Sequence, residues 1–171
     1  DHGRAAVSPQ DLIHSMRGMT VMRITKRTNI AIRLLMFCAA NSDRLVTKAE
    51  IAERCNISES HLAQVINRLS QLGFLYTQRG RTGGVRLGRP MSQITVGDVF
   101  RQLEQHTPVA ECFADVDNTC PLTKACRLRV ALVDAVEAFY AHLDEVTLDA
   151  LVCNNDALFA IFSTVPCLKQ A

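Results

Sequence analysis

The chain has 171 residues, 48% of them hydrophobic, with no tryptophan and seven cysteines, enough for one compact unit and an accessory element. Its longest apolar stretch, Ile30 to Ala40, is interrupted by Arg33 and falls short of the roughly 20 residues that span a bilayer; no charged-then-apolar secretory pattern opens the chain, so a cytoplasmic protein without membrane contact is expected, in which cysteines favour thiol, metal or redox chemistry over a disulfide framework. The net charge of +2 hides a split: residues 22–105 carry 13 Lys+Arg against 6 Asp+Glu, a surplus of 7, while residues 106–171 carry 4 against 9, a deficit of 5, so an anionic polymer would dock on the first segment.

Residues 1–21 show no sustained periodicity and read as a disordered N-terminal extension. From Thr25 to Ala40, Ile30, Leu34, Leu35 and Cys38 recur at helical spacing, and Asn41-Ser-Asp ends that helix. Thr47-Lys-Ala-Glu50 is a capping-box pattern that opens a short helix to Arg54. Cys55-Asn56-Ile57 then reads as a tight turn, and Ser58 as the N-cap of a helix to Leu72. In that helix Leu62, Val65, Ile66, Leu69 and Leu72 form one apolar stripe, while Ser60, His61, Gln64, Asn67, Arg68 and Gln71 lie off it. Two short helices joined by a tight turn, the second amphipathic with polar first turns, match a helix-turn-helix.

Phe74 to Leu87 reads as a hairpin whose turn, Arg79 to Gly84, is basic and rich in glycine, the composition of a wing. Thr95 opens a helix through Val96, Val99, Phe100 and Leu103. A long helix is predicted from about Lys124 to Val146, roughly 35 Å at 1.5 Å per residue, with Leu128, Ala131, Leu132, Ala135, Val136, Phe139 and Leu143 on one stripe. Such a helix is either the spine of its own core or a dimer interface, and the interface is favoured. Thr147 caps a last short helix. The expected fold is mostly α with a small β wing, a winged helix-turn-helix plus a long dimerisation helix. Its segments are the extension 1–21, a DNA-binding domain 22–105, a cysteine loop 106–127, and the dimerisation helix with tail 128–171.

DNA binding needs cations for phosphates and a rigid element for the major groove. Ser58, Ser60, His61, Gln64 and Arg68 on the second helix are placed to reach backbone or base edges. Arg79, Arg81, Arg86 and Arg89 serve the wing, and Arg23, Lys26 and Arg27 could clamp the backbone. No enzyme signature is present: R-G-R-T-G-G lacks the phosphate-loop pattern and precedes a strand.

Downstream, Cys112, Cys120 and Cys126 form a C-x7-C-x5-C cluster. Three chemistries suit it: a zinc site with His106 as fourth ligand, a thiol–disulfide switch activated by Lys124 and Arg127, or an iron–sulfur cluster. The spacing supports metal or redox chemistry without choosing. Cys38 and Cys55 lie in apolar helical contexts as core thiols; Cys153 and Cys167 read as packing or surface thiols, and Asp115 and Asp117 as turn residues.

The segments Met22 to Leu35, Arg79 to Pro90 and Ile94 to Glu104, with the cysteine loop, make the chain similar to the Rrf-two family of bacterial transcription regulators, the group that includes NsrR, RirA and IscR. The resemblance covers about residues 22–162. It implies a homodimer joined by the long helix, bound to a double-stranded DNA operator, with an iron–sulfur cluster (2Fe–2S or 4Fe–4S) on Cys112, Cys120 and Cys126. Arg129 stands where IscR-like members place a histidine ligand, and Asn29 where NsrR-like members often carry an aspartate. The pattern C-N-I-S-E-S-H-L at Cys55 to Leu62 is NsrR-like, which implies a repressor that senses nitric oxide. A-E-C-F at Ala110 to Phe113, with Asn29, is RirA-like, which implies control by iron. The remaining alternative is a zinc-stabilised or cofactor-free winged-helix interaction protein.

Overall fold

The computed structural model describes residues 24–104, 110–113 and 118–162. The expectations for residues 1–21 and for Arg23, His106, Asp115, Asp117 and Cys167 lie outside the described residues. Helix α1 (Lys26–Ala40) starts at Thr25, whose hydroxyl accepts from the Thr28 N–H at 3.3 Å. From Ile30 to Asn41 none of its residues is exposed. The periodicity is muted because this helix is a core helix, apolar on nearly every side. At its end Asn41 is 3% exposed; its amide donates to the Phe37 carbonyl at 2.9 Å and its carbonyl accepts from Arg44 at 2.6 Å, which satisfies a buried polar group.

Helix α2 (Lys48–Arg54) carries the predicted capping box: the Thr47 hydroxyl accepts from the Glu50 N–H at 3.2 Å. The hydrogen bond from Arg44, more than the Thr47 backbone, holds the Glu50 carboxyl below its usual range. The turn to helix α3 (Glu59–Gln71) passes through Asn56 at φ 50°, in the left-handed region that asparagine tolerates. Arg33 of α1 donates to the Cys55 carbonyl at 2.8 Å and so ties the turn to the core helix. Leu62, Val65 and Leu69 of α3 are buried against it.

Strands β1 (Leu75–Gln78) and β2 (Gly84–Leu87) pair antiparallel, with Tyr76 opposite Arg86 and Gln78 opposite Gly84. Gly84 therefore belongs to the return strand, one residue earlier than expected. Val46 adds a bridge to Val85 through two backbone hydrogen bonds of 2.8 and 2.9 Å. A Cβ on Gly83 would land on the Gln78 carbonyl oxygen, so the turn closes only around a glycine.

Helix α4 (Val96–Glu104) buries Val96, Val99, Phe100 and Leu103 as expected. The long helix, α5, spans Arg127–Asp144. It is shorter than predicted, 18 residues and about 27 Å. Cys126 is extended at ψ 107°, and Ala125 closes a turn on Leu122 at 2.9 Å. At the far end Glu145 and Val146 turn back on His142 and Leu143. An apolar stripe does not register such tightened ends. Helix α6 (Leu148–Val152) follows Thr147 as predicted.

One element was not anticipated: helix α7 (Asp156–Phe162). Asn155 caps it, accepting from the Leu158 N–H at 3.1 Å. Its Phe162 meets Phe37 edge-on at 5.0 Å. Helices α3, α4, α6 and α7 and strand β2 all pack on α1. Among the described residues no helix is long and apolar enough to cross a membrane.

Gly97 is buried where α4 crosses α5, and a Cβ there would strike the Asp144 carboxylate and come 2.9 Å from its backbone nitrogen. Gly97→Ala is therefore expected to destabilise the fold by about 1–3 kcal/mol through overpacking. Urea unfolding should show a lower midpoint at unchanged slope; an unshifted midpoint would mean that the crossing is looser than it is here.

Candidate nucleic-acid interface and cysteine segment

The polar face of α3 points outward. Ser58, Ser60, His61, Gln64, Asn67 and Gln71 are exposed, and Arg68 is half-buried at the flank of the apolar stripe. Ser60, Gln64, Asn67 and Gln71 follow one another by three or four residues, so they line one ridge of the helix. Asn67, which the sequence places off the apolar stripe, lies on this same ridge. Ser58 stands at the N-cap, but its hydroxyl makes no cap hydrogen bond and lies 2.7 Å from Nδ1 of His61.

Beside α3, Thr47, Lys48, Asn67, Thr77, Gln78 and Gly83 line a groove of about 390 Å³ between the helix and the wing. Lys48 pairs there with Glu59 at 3.0 Å. The pairing of the hairpin brings Thr77 and Gln78 next to α3, and the packing of α2 on α3 brings Lys48 there.

The wing arginines divide. Arg79 and Arg81 are exposed at the turn. Arg86 is exposed and stacks on its cross-strand neighbour Tyr76, 4.9 Å from the ring centroid. Arg89 corrects the expectation: it pairs with Asp98 at 2.8 Å and lies 4.4 Å over the Phe74 ring, so it fastens the hairpin to α4 instead of projecting from the wing. Lys26 and Arg27 are exposed on the first turn of α1, as is Asn29.

The three cysteines lie on separate local structures. Cys112 sits in the short 3-10 turn Glu111–Phe113. Cys120 follows Asn118, whose side chain accepts from the Cys120 N–H at 3.1 Å. Cys126 is the residue that precedes α5. All three are half-buried. The guanidinium of Arg129 lies 5.3 Å over the Phe113 ring, which links the turn of Cys112 to the first turn of α5. Among the described residues, no three His, Cys, Asp or Glu side chains gather closely enough to hold a metal ion. The donor chemistry nonetheless fits a soft metal: three half-buried thiols, one of them immediately before an 18-residue helix.

Helix α5 has no buried residue. Its inner side packs on α4: Phe139 lies 6.2 Å from Phe100, and Arg101 holds Asp144 through bonds of 2.5 and 2.7 Å while stacking on Tyr140. Leu128, Val130 and Val133 are 65%, 62% and 42% exposed. The predicted stripe thus serves two purposes, with Leu132, Val136, Phe139 and Leu143 turned toward the chain's own core and Leu128, Ala131 and Ala135 toward solvent.

A family model described as "Iron-dependent Transcriptional regulator", Rrf2, matches residues 24–154. The chain belongs to the Rrf2 family. Among similar Rrf2-type sequences, protein aau3 of Rhizobium meliloti is 45% identical over 131 residues, 77% of this chain and 85% of that protein. The transcriptional regulator NsrR of Geobacillus kaustophilus is 42% identical over 138 residues, 80% and 94% of the two chains. Among solved structures, IscR of T. potens superposes with a TM-score of 0.60 at 25% identity, covering 80% of this chain and 88% of that one. CymR, the global cysteine regulator of B. subtilis, gives 0.57 at 27%, covering 77% and 96%. The winged-helix fold class holds, and this Rrf2 member is a DNA-binding transcriptional regulator and not an enzyme.

The thiols of this Rrf2 chain differ in availability. Burial pushes the Cys38 thiol far above its ordinary range and that of Cys55 up to about 11, so both hold their protons at neutral pH. In the metal-free protein, iodoacetamide at pH 7.5 should modify Cys112, Cys120 and Cys126 well before Cys38 and Cys55. Peptide mass spectrometry over a time course checks this; early labelling of Cys38 would contradict the closed core around α1.

Proposed function

We propose that the protein is a homodimeric repressor whose operator affinity is set by an iron–sulfur cluster on Cys112, Cys120 and Cys126, and whose signal is nitric oxide. The observation that carries this reading is the position of the thiols: Cys112 and Cys126 flank the first turn of α5 through the Arg129–Phe113 contact, and α5 is the helix with an uncovered apolar flank. Cys126 and the turn of Cys112 thus lie beside the helix that carries the surface available to a second copy. The similarity to NsrR of Geobacillus kaustophilus and the description of the family as iron-dependent support the same reading.

When bound, the cluster would supply iron reactive toward nitric oxide. The protein's own residues supply the rest. Glu104, the last residue of α4, accepts from the Thr25 hydroxyl at 2.6 Å and from its N–H at 3.1 Å. The segment that leaves α4 toward Cys112 therefore begins at a residue clamped to the start of α1, the helix on which α3 is packed. A change in that segment reaches the DNA-reading face through Glu104 and Thr25. Ser60, Gln64 and Asn67 would read base edges in the major groove; Arg79, Arg81 and Arg86 would hold phosphates beside the wing.

A second reading, iron supply as the signal, rests on the family description and on Asn29, an amide and so a poor iron ligand, exposed in the first turn of α1. Anaerobic purification, iron and sulfide counts, and titration with nitric oxide or a chelator at fixed salt separate the two. Release of DNA by nitric oxide at low stoichiometry with slow chelators supports the first; the reverse supports the second. Zinc without acid-labile sulfide would overturn both. Cys120→Ser should lose visible absorbance and high-affinity operator binding together. Arg79→Ala and Arg81→Ala should each weaken binding about equally on all sequences and flatten the salt dependence by about one unit of slope. An unchanged slope would remove these arginines from the phosphate contacts.

A further inference from the structure

Ser58 occupies the N-cap of the 13-residue helix α3, where a serine hydroxyl ordinarily accepts from a backbone N–H two or three residues on. Here that bond is not made. The hydroxyl lies 2.7 Å from Nδ1 of His61, with Ser60 Oγ at 3.5 Å. Ser58, Ser60 and His61 are all exposed at the start of the helix.

A neutral imidazole has one N–H and one bare nitrogen, and a serine hydroxyl can donate or accept. If the Ser58 hydroxyl donates into Nδ1, the ring proton sits on Nε2, at the outer tip of the side chain. The same bond fixes the rotation of the ring and removes the ambiguity between its two faces. A free imidazole on an exposed helix would lose its rotational freedom on contact with DNA, at an entropic cost.

We propose that Ser58 is a positioning residue that acts on DNA through His61, presenting the His61 Nε2–H as a fixed donor to a hydrogen-bond acceptor of the operator. The acceptor is a purine edge in the major groove or a phosphate oxygen; both take an N–H. This role rests on α3 being the recognition helix. It changes the part assigned to Ser58, which need not touch DNA itself, and it makes His61 the contact of the pair.

The test is a double-mutant cycle on the full-length protein, purified anaerobically, with a duplex that the wild-type protein selects from a randomised pool. His61→Ala should weaken binding about tenfold. Ser58→Ala should weaken it about threefold in the presence of His61 and by less than about 1.5-fold in the His61→Ala background. Ser58→Thr, which keeps the hydroxyl, should restore most of the affinity. Nitrogen-15 shifts of the free protein should report Nε2 protonated and Nδ1 as acceptor. If His61→Ala relaxes preference at one base pair, the acceptor is a base; if all duplexes lose equally, it is a phosphate. Equal effects of Ser58→Ala in both backgrounds, or a proton on Nδ1 with Nε2 bare, would overturn the coupling alone. Failure of the wild-type protein to select any duplex would overturn the placement of α3 at DNA along with it.

Discussion

Most of the described elements are arranged around one helix that is largely closed to water after its first turn. From Ile30 onward α1 has no exposed residue, and α3, β2, α4, α6 and α7 each cover part of it. A helix apolar on every side cannot choose a face, so its neighbours fix its orientation instead of the reverse. The consequence for function is positional. The ridge of α3 holds its angle to the rest of the chain because Leu62, Val65 and Leu69 interdigitate with α1 and because Arg33 grips the helix-turn-helix turn at Cys55.

Helix α5 is built on the opposite principle. It has no buried residue and meets the body along one side only, through aromatic contacts, the Arg101–Asp144 pair and the close crossing that Gly97 permits. Arg101 and Asp144 are both substantially exposed, so the pair orients the helix more than it stabilises it. The helix is held along its inner side and leaves Leu128, Val130 and Val133 bare on the other. Residues 22–105 carry a basic surplus of 7 and residues 106–171 an acidic surplus of 5, so the two segments differ in the sign of their charge.

Much of this was legible in the sequence where one physical signal dominates. The stripe of α3, the Thr47–Glu50 box and the basic glycine turn of the wing are local patterns, and each element forms where its pattern lies. Failures occur where a distant residue decides. Arg89 reads as one more wing cation until Asp98 and Phe74 are brought to it by the fold. Ser58 has the composition of a cap, but an exposed histidine three residues on competes for its hydroxyl. Helix α7 was readable from Asn155 and Asp156, yet a run as short as Asp156–Phe162 acquires its helical character from burying Phe159 and Phe162, a tertiary effect that propensity does not carry. Cys112 lies in the Glu111–Phe113 turn and Cys126 directly before α5, a placement that the spacing of the cysteines alone does not encode.

The edge-on contact of Phe162 with Phe37 joins one of the last described helices to the first. During synthesis the apolar surface of α1 emerges early, while the rings that seal its far side emerge more than a hundred residues later. Until then the nascent chain carries an open hydrophobic seam, and contacts of such long sequence separation close slowly because the intervening loop must be ordered first. Premature termination between Gln71 and Phe159 would therefore yield a chain with α3 already written and its core unsealed, a species prone to aggregation.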